Sequence, residues 1–422
     1  MTVPENVVPD RAASVSEASR VGPADPRVGI TPGRGVTPPG RARWAAPAPF
    51  LIAGLLFANY YLRMPSLKTE YALSNGQLGL FLLLPVVTGL VTLQTAGALV
   101  ARFGSGPIAR TTMVALPLSL AGIALAGDRV QFGAALLVFG AVNGLVDVSM
   151  NAHAIAVERA LERPIMNSCH AAWSIGTMVG AVLGGIAVKT GLSFTQHFLL
   201  VSLVLAVIGA VAGRSMLPGS ADRGKKEADG KRERVGWRDG WTPRVVVLGL
   251  TGTVVLVSES AVGDWSGIFL RDELGATLAT ASLAYIAFSF CQTGGRLIGD
   301  RLNQKYGPSA LVRGGGAIAV AGLAVVVFSP TPAVAVVGFG LHGAGLSVIV
   351  PIIFSAVGHG AADGETGSAT AALAKVNTLT YGGFLAGPML VGLFADGFGL
   401  TMTLAGLLVV LAVTVSTGLR RV

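Results

Sequence analysis

The sequence predicts an all-α integral membrane protein with twelve transmembrane helices in two six-helix bundles. Of its 422 residues, 52% are hydrophobic and only 13% are charged, and the mean hydropathy is +0.66. Many apolar runs exceed the roughly 18 residues that suggest a membrane-spanning helix. Because backbone groups in lipid must be satisfied internally, long runs without alternation favour helices over a closed barrel.

The glycine content, net charge and cysteines support this class and exclude others. The 58 glycines fit close helix packing in a membrane, where small residues let backbones approach. The formal net charge of +9 is not a nucleic-acid signal, because the basic residues lie mainly in tails and loops. Cys169 and Cys291 fall in or next to apolar segments, so we expect no structural disulfide, metal site, cofactor or nucleic-acid partner.

The chain divides into a tail, two halves and a linker. Residues 1–45 are rich in Pro, Gly, Ser and Arg and are expected to form a disordered cytoplasmic tail. Residues 46–216 and 244–422 should each form a six-helix bundle, and the polar stretch 217–243 a cytoplasmic linker. The apolar segments centre near Leu56, Thr88, Leu118, Val142, Val179, Leu205, Leu256, Ser289, Val320, Gly345, Gly382 and Leu408.

Basic residues predict the orientation in the inner (plasma) membrane. With the N-terminus in the cytoplasm, the loops after even-numbered segments are cytoplasmic and carry most of the positive charge, including Arg102, Arg110 and Arg159. Arg420 and Arg421 place the C-terminus on the same side. The other loops are short and less consistently basic, so the cytoplasmic assignment of both termini is consistent along the chain.

Segment 4 carries a polar stripe inside an apolar run. Asn143, Asp147 and Asn151 are spaced i, i+4, i+8, so they share one helix face. A carboxylate within the membrane costs about 2.5–3.5 kcal/mol on insertion scales and is functional by default. The stripe therefore predicts the wall of a polar cavity that binds substrate and protons. The alternative is a carboxylate satisfied by a neighbouring helix, with no ligand.

Segment 7 contains the second membrane carboxylate. Glu259 is predicted to accept a proton or bind substrate, the alternative being an inter-helix hydrogen bond. Asp264 follows five residues later, about 140° away on a regular helix. With Trp265, Asp264 is expected to mark the outer end of segment 7 at the aromatic interface, and a substrate role for it would require helix unwinding.

Four other residues are candidates for the same site. Arg63, near the outer end of segment 1, either snorkels to the interface or contacts substrate or a carboxylate, and Asn59 lies one turn earlier on its face. His342 in segment 10 either relays protons or packs with hydrogen bonds. Trp173 either stacks on a sugar ring or belongs to an interfacial belt.

A weak internal repeat and the loops resemble a known family. GALVARFG (Gly97–Gly104) follows segment 2, and GGRLIGDRLNQKYG (Gly294–Gly307) follows segment 8. With the twelve segments and the linker, these loops resemble the major facilitator superfamily over residues 46–418. The stretches DVSMNAHAIAVERALERPIMNSCHAAWSIG, GDWSGIFLRDELG and YGGFLAGPMLVGLFAD look like the branch containing rhizopine-type permeases, with fucose–proton symporters as more distant relatives.

The resemblance implies a central cavity, alternating access and roles for particular residues. In fucose symporters an acidic residue on helix 4, four residues before an Asn, takes part in sugar and proton handling, and Asp147 and Asn151 match that pattern. Those symporters also have an Asp four residues before a helix-1 Pro. Here Tyr61 precedes Pro65 at that distance, which puts a two-carboxylate proton mechanism in doubt.

The family's loop signature is kept in one half only. It expects an Asp before the Arg of each loop. The first half has Ala101 before Arg102, whereas the second keeps Asp300. We expect Arg102, Asp300 and its i−4 neighbour Arg296 to act in the cytoplasmic gate. A local helix-end pair without a gating role is the alternative for Asp300 and Arg296.

These observations lead to a functional hypothesis. The sequence has no phosphate-binding Gly-Lys-Ser/Thr loop and no nucleophile elbow, so neither ATP-driven transport nor an enzyme is supported. We expect a monomeric secondary transporter that moves a small polar solute, such as a sugar, polyol or amino-polyol, together with protons. A wide apolar cavity would instead favour proton-coupled export of drugs or secondary metabolites. The third alternative is a membrane sensor or scaffold that transports nothing.

Overall fold

The computed structural model describes residues 39–162, 165–221, 241–362 and 369–418, and these residues are almost entirely helical. A 3₁₀ turn, Gly219–Ala221, follows the first half, and a π-helical turn, Phe269–Glu273, continues α9. The α-helices are α1 Pro39–Ala45, α2 Ala48–Leu62, α3 Met64–Glu70, α4 Asn75–Phe103, α5 Ser105–Ala124, α6 Arg129–Leu161, α7 Met166–Lys189, α8 Phe194–Gly213, α9 Pro243–Ile268, α10 Leu278–Tyr306, α11 Pro308–Val327, α12 Pro332–Leu346, α13 Ile349–Ala362, α14 Ala369–Phe398 and α15 Leu400–Gly418.

The number of membrane-spanning helices agrees with the predicted twelve. Among the described residues, ten helical segments are long and apolar enough to cross a membrane, with α1 and α2 forming one of them and α12 and α13 another. The helices α10 and α14 have the length of a span as well, with 29 and 30 residues. Apolar side chains such as Leu203 and Val211 point outward from α8, as expected of a surface that faces lipid.

The two halves pack in the same pattern. In the first half α2 packs on α7, α4 on α6, and α5 on α8. The equivalent pairs in the second half are α9 with α14, α10 with α12, and α11 with α15. The internal repeat seen in the sequence lies at equivalent helix ends, because Gly104 (φ 87°) ends α4 and Gly307 (φ 79°) ends α10. Both glycines have the positive φ that L-residues disfavour.

The start of the first bundle differs from the prediction. Helix α1 begins at Pro39, inside the stretch 1–45 predicted as a disordered tail, and Ala42 and Ala45 on this helix are buried. A helix that buries part of its surface in the core is ordered despite its Pro- and Gly-rich flank. Residues 1–38 of the predicted tail and 222–240 of the predicted linker lie outside the described residues.

The prediction that Asp264 and Trp265 mark the outer end of segment 7 is wrong. Helix α9 continues to Ile268 and then as the π-helical turn, and Trp265 is fully buried. The extension packs closely on the first half. A Cβ on Gly263 would lie 3.2 Å from the Tyr61 ring, and one on Gly267 would lie 3.1 Å from Pro65. The two glycines thus give this helix a close-packed surface well beyond Asp264.

The two ends of the molecule differ in how the halves meet. We call the end that carries Lys68, Ser74, Asp272 and Asp396 the closed face, because these residues join the two halves there. The opposite end, where α4 and α10 terminate, is the open face. There, among the residues that the structure describes, no atom of another element lies within 4 Å of a Cβ built on Gly97 of α4.

Candidate functional site

A cavity of about 410 Å³ lies between the two halves. Its wall is built from α2, α4, α6 and α7 of the first half and from α9 and α14 of the second. Most of the lining is aliphatic or aromatic, and the polar side chains are few. The lining residues are Phe57, Tyr60, Tyr61, Leu82, Pro85, Val86, Gly89, Leu90, Leu93, Phe139, Gly140, Asn143, Gly144, Asp147, Met150, Trp173, Ser260, Asp264 and Pro388.

The predicted polar stripe of α6 reaches this cavity. Asn143 and Asp147 both line it, and Asp147 is exposed although it lies near the middle of a 33-residue helix. Asn151 is not part of the lining. Its Nδ2 donates to the Asp147 carbonyl oxygen at 2.8 Å and lies 3.4 Å from Asp147 Oδ1. The stripe therefore presents one carboxylate and one amide to the cavity, with a second amide behind them.

The second half contributes Asp264 to the same cavity. Its side chain is only 5% exposed, and no hydrogen bond or ion pair reaches it from any residue that the structure describes. Tyr60 on the opposite wall is likewise buried, and its phenol oxygen has no hydrogen-bond partner within the same residues. Buried polar groups in proteins are normally satisfied, so the lack of a partner for these two groups among the described residues is unusual.

Two close helix contacts form the cavity wall of the first half. A Cβ on Gly140 of α6 would overlap the backbone of Pro85 in α4, and one on Gly144 would lie 2.6 Å from the Gly89 carbonyl oxygen. With no side chain between them, α4 and α6 approach backbone to backbone. This contact fixes the helix face from which Asn143 and Asp147 project.

Asn59 and Arg63 lie apart from the cavity. Arg63 is only 2% exposed; its Nε donates to His197 Nδ1 at 2.9 Å and an Nη donates to the Leu192 carbonyl at 2.7 Å. His197 Nε2 in turn donates to Asn59 Oδ1 at 2.8 Å. Arg63 therefore finds acceptors inside the first bundle, in His197 of α8 and in Leu192 of the loop before α8.

His342 and Glu259 are also absent from the lining. His342 is fully buried; its Nδ1 donates to the Ala319 carbonyl at 2.8 Å, and its Nε2 accepts from Ser258 Oγ at 2.9 Å. Glu259 lies 3.4 Å from an Arg296 nitrogen. Both residues are satisfied within the second bundle, in the manner of the packing alternatives considered for them.

Trp173 lies in the cavity wall rather than outside the bundles. Its ring is 5.8 Å from that of Phe57, and Phe57 is 5.6 Å from Phe139. Tyr60 stacks on Phe139 at 5.4 Å, and Tyr61 also lines the cavity. These five rings, which we call the aromatic wall, line the same cavity as the two carboxylates.

The predicted gating residues are at or toward the open face. Arg102, near the end of α4, lies over the Phe103 ring at 5.2 Å. Arg296 lies on α10 and pairs with Glu259. The side chain of Asp300 lies outside the described residues, so its predicted pairing with Arg296 stays a prediction. The interactions seen at Arg102 and Arg296 remain within their own halves.

The closed face seals the cavity on one side. Lys68 Nζ lies 2.6 Å from Asp272 Oδ2, and Ser74 Oγ donates to Asp396 Oδ2 at 2.7 Å. Arg271 donates to the Pro65 carbonyl at 2.9 Å and to Thr69 Oγ1 at 2.8 Å. Each contact joins the first half to the second.

Close helix contact reinforces this seal. A Cβ on Gly392 of α14 would lie 2.5 Å from the Asn75 carbonyl oxygen, and one on Gly79 of α4 would lie 3.0 Å from the Pro388 carbonyl oxygen. The helices α4 and α14 therefore meet backbone to backbone just beyond the cavity. Within the described residues, no cluster of His, Cys, Asp or Glu suits a metal ion.

Comparisons with known proteins agree with this architecture. The family model described as Major Facilitator Superfamily matches residues 50–379. An uncharacterized MFS-type transporter of Yersinia pestis is 30% identical over 375 residues, which are 88% of this chain and 94% of that protein. Membrane protein MosC of Rhizobium meliloti is 30% identical over 351 residues, 83% of each chain.

Two solved structures show the same fold. The nucleoside transporter NupG superposes with a TM-score of 0.70 at 11% identity, covering 91% of this chain and 98% of that one. The fucose transporter FucP, in its outward conformation, gives a TM-score of 0.55 at 14% identity, covering 90% and 98%. At these identities the likeness concerns the arrangement of helices only.

Proposed function

Because the chain belongs to the Major Facilitator Superfamily and is a multi-pass membrane transporter, we propose that it moves a small amphipathic organic solute by proton-coupled alternating access. The observation that carries this proposal is the cavity between the two halves, with one carboxylate from each: Asp147 from α6 and Asp264 from α9. Binding sites between pseudo-repeats are typical of secondary transporters.

The sealed closed face supports alternating access. The lining of the cavity on α4 extends from Leu82, near that face, to Leu93, nearer the open face. The carboxylate of Asp147 on α6 lines the same cavity and is exposed, so solutes can reach it. One stroke of the cycle would break the contacts at the closed face and bring the halves together at the open face.

The distribution of basic residues supports a sidedness for this cycle. The helix ends at the open face carry Arg102, Arg110, Arg159, Arg301 and Lys305, which under the positive-inside rule places this face in the cytoplasm. The closed face then looks outward. On this proposal the structure is inward-facing, and a single chain forms the complete transport unit.

The lining supports one of the two substrate classes considered from the sequence more than the other. Among the described lining residues, Asn143 is the one amide, and glutamine is absent. Apart from Asn143, Asp147, Asp264 and Ser260, these lining residues are five aromatic residues, a larger number of aliphatic residues, and glycines. A site that recognises sugars needs several hydrogen-bonding side chains, because each buried hydroxyl requires a partner. The cavity therefore favours an amphipathic solute and the export alternative over sugar uptake.

One observation supports a second candidate function, the uptake of a sugar or polyol. Asn143 and Asp147 lie one helical turn apart on the cavity wall, and Trp173 lines the same cavity. A carboxylate and an amide at this spacing can bond two neighbouring hydroxyls while the indole covers one face of a ring. The transport assay below compares the two classes directly.

Proton coupling rests on Asp147. A proton that crosses about 100 mV releases roughly 2.3 kcal/mol, enough for about fifty-fold accumulation. The exposed Asp147 carboxylate can exchange protons with the open face, whereas Glu259 is held by Arg296. We therefore assign the coupling proton to Asp147 and give Glu259 a structural pairing role.

The test uses purified protein in vesicles that contain a pH-sensitive dye. We would add a panel of amphipathic amines, neutral drugs, sugars and inositols, and compare the wild type with Asp147→Asn and with the control Glu162→Gln, which changes an exposed loop carboxylate. We expect a solute-dependent proton flux that Asp147→Asn abolishes and Glu162→Gln retains. Solute movement coupled to protons in folded Asp147→Asn would refute the assignment.

A further inference from the structure

The carboxylate of Asp264 lacks a counter-charge within the described residues. It is 5% exposed, lines the cavity, and has neither a hydrogen bond nor an ion pair there. A buried charge without a partner is strongly unfavourable, and proteins almost always pair it or neutralise it. Asp264 lines the cavity, and a partner that reaches it would enter there.

The cations of the neighbouring helices are engaged elsewhere. Arg63 directs its guanidinium to His197 and the Leu192 carbonyl, and Arg296 pairs with Glu259. The described lining includes no Lys, Arg or His. Asp147 is the other cavity carboxylate. Its Oδ1 lies 3.4 Å from the Asn151 side-chain amide, and it interacts electrostatically with His170. Among its described lining residues, the cavity therefore has two acidic groups and no fixed positive charge.

The aromatic wall has the same electrostatic preference. The side chains of Phe57, Tyr60, Tyr61, Phe139 and Trp173 all line the cavity. A π-face attracts cations through its quadrupole, and tryptophan and tyrosine do so most strongly. An anion would meet two carboxylates and only neutral donors, namely the two phenols, the Trp173 indole, the Ser260 hydroxyl and the Asn143 amide, so this lining disfavours it.

We infer that the ligand of this cavity is an organic cation, an amine or quaternary ammonium with an apolar body, held by Asp147 and Asp264 against the aromatic wall. This inference rests on the proposed function and specifies its substrate class. The phenol of Tyr60, which has no partner in the described residues, would donate to a polar group of the bound molecule or to Asp264. Asp264 is thus a specificity-determining residue supplied by the second half.

The experiment measures binding to the purified full chain in detergent with radiolabelled tetraphenylphosphonium as the probe. Two competitors differ only in charge: benzyltrimethylammonium, and neopentylbenzene, in which carbon replaces the nitrogen. Benzenesulfonate serves as the anion. We expect benzyltrimethylammonium to displace the probe at concentrations at least about tenfold lower than neopentylbenzene, and benzenesulfonate to have no effect. This comparison needs no variant and does not depend on the folding of one.

Variants then locate the charge recognition. Asp264→Asn should weaken binding of the probe by about tenfold or more, and Glu162→Gln should leave it unchanged, with gel-filtration elution confirming that both are folded. The inference is overturned if neopentylbenzene competes as well as benzyltrimethylammonium, or if folded Asp264→Asn binds the probe as the wild type does.

The vesicle assay separates this inference from the transport proposal. If neutral solutes drive an Asp147-dependent proton flux and cations do not, the chain is a proton-coupled transporter and the inference of a cationic ligand fails. If the probe binds in an Asp264-dependent manner but no member of the panel crosses the vesicle membrane, the cation site stands and the transport proposal fails.

Discussion

The two faces of the molecule hold their halves together by different means. At the closed face, helices α4 and α14 meet through Gly79 and Gly392, and the ion pair Lys68–Asp272 links neighbouring elements. Toward the open face, Val91 on the same helix α4 is exposed. Among the described residues, no atom of another element lies within 4 Å of a Cβ built on Gly97. One helix thus forms both the seal and the opening.

This difference indicates where the conformational cycle is controlled. The closed face has a close steric fit together with a few polar contacts, whereas near the middle Thr293 Oγ1 reaches the Ser174 carbonyl at 3.4 Å. Partly exposed ion pairs contribute little, about 0.2–1 kcal/mol each. We therefore expect the fit of the glycines to determine how firmly the closed face shuts, and the polar contacts to set its alignment.

The largest effect is expected for Gly392→Ala. Its Cβ would lie 2.5 Å from the Asn75 carbonyl oxygen, and overpacking of this kind costs about 1–3 kcal/mol. The closed face should open more often. We would measure labelling of a single cysteine introduced at Leu82, in a background with Cys169→Ser and Cys291→Ser, by a membrane-impermeant maleimide added from outside.

A matched control lies on the same helix. Gly397→Ala makes the same chemical change five residues later, where nothing lies within 4 Å of the new Cβ. Labelling at residue 82 should rise by about tenfold or more for Gly392→Ala and stay at the wild-type rate for Gly397→Ala. Equal labelling of the two variants would show that the glycine fit does not seal this face.

A smaller effect is expected from reversing the ion pair. Lys68→Asp and Asp272→Lys each place like charges together and should raise the outside labelling rate a few-fold, since a partly exposed pair is worth about 1 kcal/mol. The double reversal restores opposite charges and should return the rate toward the wild type. A double variant as leaky as the singles would assign the effect to other contacts of these side chains.

The smallest effect separates helix capping from sealing. Ser74 and Ser193 each begin a helix with a capping box, using Gln77 and Gln196, but Ser74 also donates to Asp396 of the other half. Ser74→Ala and Ser193→Ala should lower the melting temperature in detergent similarly, each losing a cap worth about 1 kcal/mol. Ser74→Ala alone should raise labelling at residue 82, by less than the charge reversals do.

The fold was predictable from the sequence to a large extent. Long apolar runs, the paired loops ending in Gly104 and Gly307, and the resemblance to the major facilitator superfamily led to twelve helices in two bundles, and the structure and the family assignment confirm them. The start of α1 at Pro39 was missed, because the composition of the flanking residues masks a short helix whose order comes from tertiary packing.

The candidate site was predictable in part. Periodicity placed Asn143 and Asp147 on one face of α6, and that face lines the cavity. Periodicity could not show which face of a helix lines the cavity and which face packs within its own bundle. Asn59, Arg63 and His342 find partners inside their bundles, and these depend on contacts between residues far apart in sequence.

The missed residue is Asp264. Its position next to Trp265 resembled the aromatic end of a span, since acidic and aromatic residues are typical of a membrane interface. The sequence did contain a signal, because Gly263 and Gly267 lie four residues apart, the spacing of small residues on a helix-packing face. That spacing favours a helix that continues in close contact with a neighbour, which is how α9 packs on α2 and α3.

The glycine contact at the closed face also bears on the populations of the two conformations. Contacts between backbones of small residues bury little apolar surface, so separating them exposes little to water and costs less than parting two leucine-lined helices. Inverting a two-state equilibrium from 1:99 to 99:1 takes about 5.5 kcal/mol. A seal that depends on shape more than on buried area keeps the two states close in free energy. In the proposed transport cycle, the binding of one small ligand or one proton would then determine which state the molecule occupies.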